Sequence, residues 1–180
     1  MSILIGDGAG GGYSAAVTSE NKLRAYCTTE SESSYESEVN ERAYTWTTAY
    51  SCAANDTILW LRNDSTTENL VIDKVLFMSD KTTRFVVHSP ADGGAATGTA
   101  ITGTNLNRKS GRTASAKCWQ DETTGTQANI IANGSIVAGG TAILPIEGAI
   151  VLGYKDVIAV DTVATGYTGV TFKGYYHTAK

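Results

Sequence analysis

Residues 55–89 read NDTILWLRNDSTTENLVIDKVLFMSDKTTRFVVHS, the densest apolar run in the chain, and their pattern decides the fold class. Short apolar, β-branched segments are parted by Asn63-Asp64-Ser65 and Ser79-Asp80-Lys81, which are turn formers. The spacing predicts three strands, Thr57 to Arg62, Leu70 to Met78 and Arg84 to His88. Strict alternation through the second places Leu70, Ile72, Leu76 and Met78 on one face and Val71, Val75 and Phe77 on the other. Apolar residues on both faces predict a strand covered on both sides, with one face left to meet a second sheet or subunit.

Outward from this centre the pattern repeats. Residues 42–50, RAYTWTTAY, alternate as a strand with Tyr44, Trp46, Thr48 and Tyr50 on one face. Such aromatics serve either a core or a sugar-stacking platform. Residues 15–27 fit a hairpin turning at Ser19-Glu20-Asn21, and the Ser/Glu-rich residues 28–41 fit a surface loop. Small polar residues 95–129 predict short strands near Thr99 to Thr102 and Thr113 to Trp119. Asn133-Gly134 predicts a two-residue hairpin turn between strands 129–132 and 135–138. Gly148 and Gly153 divide strands Thr141 to Pro145, Ala149 to Leu152 and Asp156 to Val160, and an alternating GVTFKGYYHTA closes the chain. Helical periodicity never extends beyond about two turns, and strands recur every 8–12 residues, as in antiparallel sandwiches and barrels. The expectation is an all-β, antiparallel, jelly-roll-like β-sandwich over residues 15–180. An extended Gly-rich arm, MSILIGDGAGGGYS, precedes it over residues 1–14.

Composition narrows the function. The chain has 180 residues, 18% charged against a usual ~25%, with a formal net charge of −4. No basic face favours nucleic acid, and no apolar run approaches the ~18 residues that span a membrane. The first residues lack the basic region and long apolar core of a secretory signal. Cys27, Cys52 and Cys118 are odd in number, widely spaced and without CxxC spacing, which predicts free structural thiols and a reducing compartment. An acidic run (Glu30, Glu32, Glu36, Glu38, Glu41) and a basic one (Arg108, Lys109, Arg112, Lys117) suit either solvated loops or pairing between copies.

Catalytic patterns are weak. Gly6 to Gly11 spells GxGxxG, but no helix pattern or βαβ unit follows. The two histidines, His88 and His177, lie in strands, and no G-x-S-x-G elbow accompanies them. Asp64, Asp73, Asp92 and Asp121 could meet calcium at loop tips, without the spacing of a calcium loop. We therefore expect no catalytic residues, no metal and no cofactor, and a protein that is not an enzyme.

The segment Leu59-Trp60-Leu61-Arg62-Asn63 followed by Leu70-Val71-Ile72-Asp73-Lys74-Val75 resembles one found in virion proteins of tailed bacteriophages. Gly103 to Ser110 and the Val170-Thr171-Phe172-Lys173-Gly174-Tyr175-Tyr176 end are similar to that group as well. The resemblance implies a trimeric jelly roll assembled in the host cytoplasm. It implies a head decoration (cement) protein on the capsid surface, with the major capsid protein and its own copies as partners. A tail, fibre or receptor-binding component that binds host or carbohydrate is the alternative. A low-charge subunit repeated on a lattice gains avidity without a strong single contact. In that setting Ile3, Leu4, Ile5 and Tyr13 of the arm are the expected partner-binding residues.

Overall fold

A computed structural model describes residues 16–17, 23–24, 31–90, 97–122 and 127–178. The chain divides into two units, residues 1–31 and 32–180. In the first, β1 (Ala16–Val17) pairs antiparallel with β2 (Leu23–Arg24), which is the expected hairpin. The arm residues Ile3, Leu4, Ile5 and Tyr13, and Cys27, lie outside the described residues.

The second unit opens with one short helix, α1 (Glu32–Glu38), where the sequence predicted a loop. Six polar residues and a single tyrosine carry too little apolar period to announce a helix. Burial of Ser33 and Glu36, with Asn40 Nδ2 donating to Glu36 Oε2 at 2.9 Å, fixes it instead. Eleven strands follow: β3 (Ala43–Cys52), β4 (Asp56–Arg62), β5 (Glu68–Ser79), β6 (Thr83–His88), β7 (Thr99–Ile101), β8 (Thr104–Asn105), β9 (Lys117–Glu122), β10 (Ile130–Ile136), β11 (Gly140–Leu152), β12 (Val157–Thr162) and β13 (Gly166–Thr178). They form a six-stranded sheet, β10-β6-β12-β4-β9-β7, and a five-stranded sheet, β11-β5-β13-β3-β8, with every pairing antiparallel. From β3 to β6, and again from β10 to β13, successive strands switch sheets. The unit is an all-β sandwich.

One core joins the two sheets. Tyr44, Trp46, Leu70, Ile72, Val75, Phe77, Val170, Phe172 and Tyr176 come from the five-stranded sheet. Ile58, Leu59, Leu61, Phe85, Val87, Ile158 and Val160 come from the other. Phe77 and Phe85 stack across the interface, with ring centroids 3.9 Å apart. The aromatic face of β3 is thus core and not a sugar platform: Tyr44 and Trp46 are buried within it. Cys52 and Cys118 are free, buried thiols, and burial pushes the Cys118 pKa far up.

Three local patterns depart from simple alternation. In β5, Lys74 faces Lys173 and Ile72 faces Gly174, so Asp73 is an extra residue. The bulge exchanges the two faces midway. Leu70, Ile72, Val75 and Phe77 enter the core, while Leu76 and Met78 turn outward. In β4, Leu59 faces Val160 and Thr57 faces Asp161, leaving Ile58 as the extra residue. Ile58 and Leu59 both enter the core, and Thr57 turns to the outer side. The expected Asn133-Gly134 turn is instead the middle of β10, with Gly134 directly opposite Phe85. A Cβ on Gly134 would lie 2.5 Å from Phe85 Cζ, so the glycine makes room for the ring. The reversal comes four residues later, where Gly140 N donates to Val137 O (2.9 Å) and Gly139 takes φ 74°.

Candidate functional site

The outer sides of the two sheets differ in chemistry. On the five-stranded sheet, register aligns Ile143, Leu76, Thr171 and Thr47 in one row and Thr141, Met78, Gly169 and Ala49 in the next. Neither row carries a charge. Met78 lies across Gly169, where a Cβ would be 2.7 Å from Met78 Cγ, and the rows border a groove of about 260 Å³. Met78 is 43% exposed, Ile143 63% and Val151 51%, a concentration of open apolar side chains on β5 and β11. The flanking row, Pro145, Lys74, Lys173 and Thr45, restores polarity, with Lys173 Nζ 3.3 Å from Asp73 Oδ2.

The outer side of the six-stranded sheet is aromatic and buried at one end and polar at the other. Trp60, Val157 and Ala159 are buried together, and Trp119 packs on them. Arg62 lies 5.4 Å from the Trp60 ring centroid and grips Asp64, Nε to Oδ1 at 2.7 Å. Further along, the Ile58 bulge sets Thr57 beside Asp161, and Thr57 Oγ1 donates to Asp161 Oδ1 at 2.7 Å. Gln127 Nε2 donates to Asp161 Oδ2 at 3.0 Å. His88, fully buried, brings Nε2 to 3.0 Å from Asp161 Oδ1. That approach is off the ring N–H direction, so among the described residues neither imidazole nitrogen makes a hydrogen bond. Asp161, Thr57, Gln127, Arg84, Asn55 and Val86 line a pocket of about 400 Å³. Arg84 has no ion pair among the described residues.

The residues singled out in the sequence fall elsewhere. Asp64 is held by Arg62, Lys155 (2.9 Å) and Lys117 (3.7 Å). The Arg62 hydrogen bond leads in lowering its pKa to about 2. That carboxylate already has its cations, which leaves no role for calcium. Asp73 pairs with Lys173, and Asp92 lies outside the described residues. Among the described residues no group of three or more His, Cys, Asp or Glu could hold a metal ion. No helix there is long and apolar enough to cross a membrane. Glu32, from the acidic run, meets β13: Tyr175 Oη donates to its Oε2 at 3.3 Å, and His177 Nε2 is 3.6 Å from its Oε1. Burial, then the Glu32 charge, pushes the Tyr175 pKa up to about 12.

Sequence reasoning missed Asp161, Thr57, Arg84 and Gln127. One signal was present: Asp161 directly follows the apolar run Val157-Ile158-Ala159-Val160, where a charged residue continuing the strand needs a reason. Comparison with protein families, with curated proteins and with solved structures returned no match.

Proposed function

We propose that this protein is a structural subunit of a phage virion, a capsid decoration protein that acts as a homotrimer on the outside of the head. One observation carries the assembly part: the outer face of the five-stranded sheet has two adjacent rows without charge, and Ile143, Met78 and Val151 are left open on it. Hiding a half-open apolar side chain is worth about 1 kcal/mol, and a symmetric assembly buries each such chain once per copy. We assign this face to contact between copies, because flat rows of Thr, Ala, Gly and Met have no charge that must be matched. The placement on a phage head rests on the resemblance of Leu59 to Val75 and of the closing strand to tailed-phage virion proteins. We read the winding as jelly-roll-like, supported by the order β10-β6-β12-β4 and by the repeated switching of strands between sheets.

The subunit stabilises by area, bridging neighbouring capsid subunits, and residues 1–14 are the segment we assign to anchoring it. Sedimentation tests the oligomer. The wild-type protein sediments as a trimer, and Met78→Lys, at a solvent-facing position, gives a folded monomer. A wild-type monomer, or a trimer unaffected by Met78→Lys combined with Ile143→Asp, refutes the assignment of this face. Particles labelled at Lys180 and imaged at low resolution test the location. Label on the tail moves the protein into the tail or receptor-binding class.

A further inference from the structure

We propose that the pocket floored by Asp161 on the outer side of the six-stranded sheet is a binding site for a single acidic sugar unit. Its ring hydroxyls meet Asp161, Gln127 and Asn55, and its carboxylate meets Arg84. At about 400 Å³ the cavity sits at the small end of ligand sites, the size for one ring and not for a chain. Among the described residues the lining is mostly polar and holds no aromatic ring, so recognition is by hydrogen bonds and charge.

The site is built and not incidental. A bulge at Ile58 turns Thr57 out of the core register to meet Asp161, and bulges recur where a side chain must be re-aimed. Asp161 is nearly buried yet accepts from both Thr57 and Gln127, so its carboxylate is rigid. Beside it His88 is fully buried and sets Nε2 3.0 Å from Asp161 Oδ1, a further hold on the carboxylate.

The ligand class follows from the donor and acceptor inventory. Each carboxylate oxygen has about two acceptor sites; Oδ1 faces both Thr57 and His88, while Oδ2 accepts only from Gln127, which leaves capacity there for a ligand hydroxyl. Gln127 spends an amide hydrogen on Asp161, so its carbonyl remains an acceptor. Arg84 supplies a guanidinium suited to two-pronged binding of a carboxylate. A neutral sugar leaves Arg84 unused, and a bare anion leaves the acceptors at Asp161 unused. The proposal stands apart from the trimer face, which lies on the other sheet.

The test is methyl NMR on the full chain, following Val86 and Val163, which line the pocket. D-glucuronate, methyl glucoside and inorganic phosphate are titrated separately. Glucuronate should move both valines and bind at least 10-fold more tightly than either other probe. Arg84→Ala, at an exposed position, should remove that preference, and Asn55→Gly, which suits the φ of 58° there, should weaken glucuronate binding several-fold without altering the fold. No shift at Val86 and Val163 up to 50-fold excess glucuronate overturns the proposal. So does equal binding of phosphate and glucuronate, or an Arg84→Ala protein that keeps the preference.

Discussion

Replacing Gly134 by alanine should destabilise the sandwich through one identifiable clash. Gly134 sits mid-strand opposite Phe85, and its added Cβ would lie 2.5 Å from Phe85 Cζ and 3.0 Å from a neighbouring ring carbon. The ring cannot swing away freely, because its other face stacks on Phe77 at 3.9 Å, and that stack joins the two sheets. Inserting a methyl group into a packed site costs about 1–3 kcal/mol. Relief of the glycine's chain entropy returns about 0.5–1 kcal/mol, leaving a net loss near 1–2 kcal/mol. With a urea slope of about 2 kcal/mol per molar, the midpoint of Gly134→Ala falls by roughly 0.5–1 M. Phe85→Leu alone loses the stack and some area, about 1–2 kcal/mol. Leucine does not reach the place where the ring tip meets the new methyl. The double variant should therefore be little worse than Phe85→Leu, with a favourable coupling of at least ~1 kcal/mol. Urea unfolding of the four proteins measures the cycle. If the two losses simply add, or if Gly134→Ala is neutral, the account of this strand is wrong.

The Asp73 bulge decides which of two adjacent positions points inward: Val75→Asp should abolish folding, because Val75 is fully buried, whereas Leu76→Asp should give a folded protein in which the proposed association between copies is weakened, read by circular dichroism and sedimentation. The hydrogen bond from Arg62 holds the Asp64 pKa at about 2, below the usual carboxylate range. Its stabilising contribution is therefore present above pH 4 and lost as the pH falls toward 2. Asp64→Asn should flatten the acid limb of stability over that window, and an unchanged limb would contradict the role given to Arg62 and Lys155. Trp46 and Trp60 are fully buried, so acrylamide should quench the fluorescence mainly through Trp119; quenching that is uniform across the three would contradict their burial. Cys52 and Cys118 should react with a thiol reagent only on unfolding, with rapid labelling of either in the native protein as the contrary result.

The sequence by itself determined the all-β class and most strand positions, because alternation and turn residues are local. Thr57 to Arg62, Leu70 to Met78 and Arg84 to His88 fall within β4, β5 and β6, and the described residues of GVTFKGYYHTA fall in β13. It also showed that Tyr44 and Trp46 share one face of a strand. Tertiary structure decided which faces are inward wherever a single residue is added. Asp73 and Ile58 look like ordinary strand residues, yet each shifts every later side chain to the opposite side, and only pairing with β13 and β12 shows it. Asn133-Gly134 is a turn signal in isolation, but Phe85 needs the vacancy left by the glycine more than the chain needs a reversal there. The polar pocket was illegible for the same reason. Thr57, Arg84, Gln127 and Asp161 are scattered over about a hundred residues, and only the antiparallel registers of β4, β12 and β6 bring Thr57, Asp161 and Arg84 to one side of a sheet.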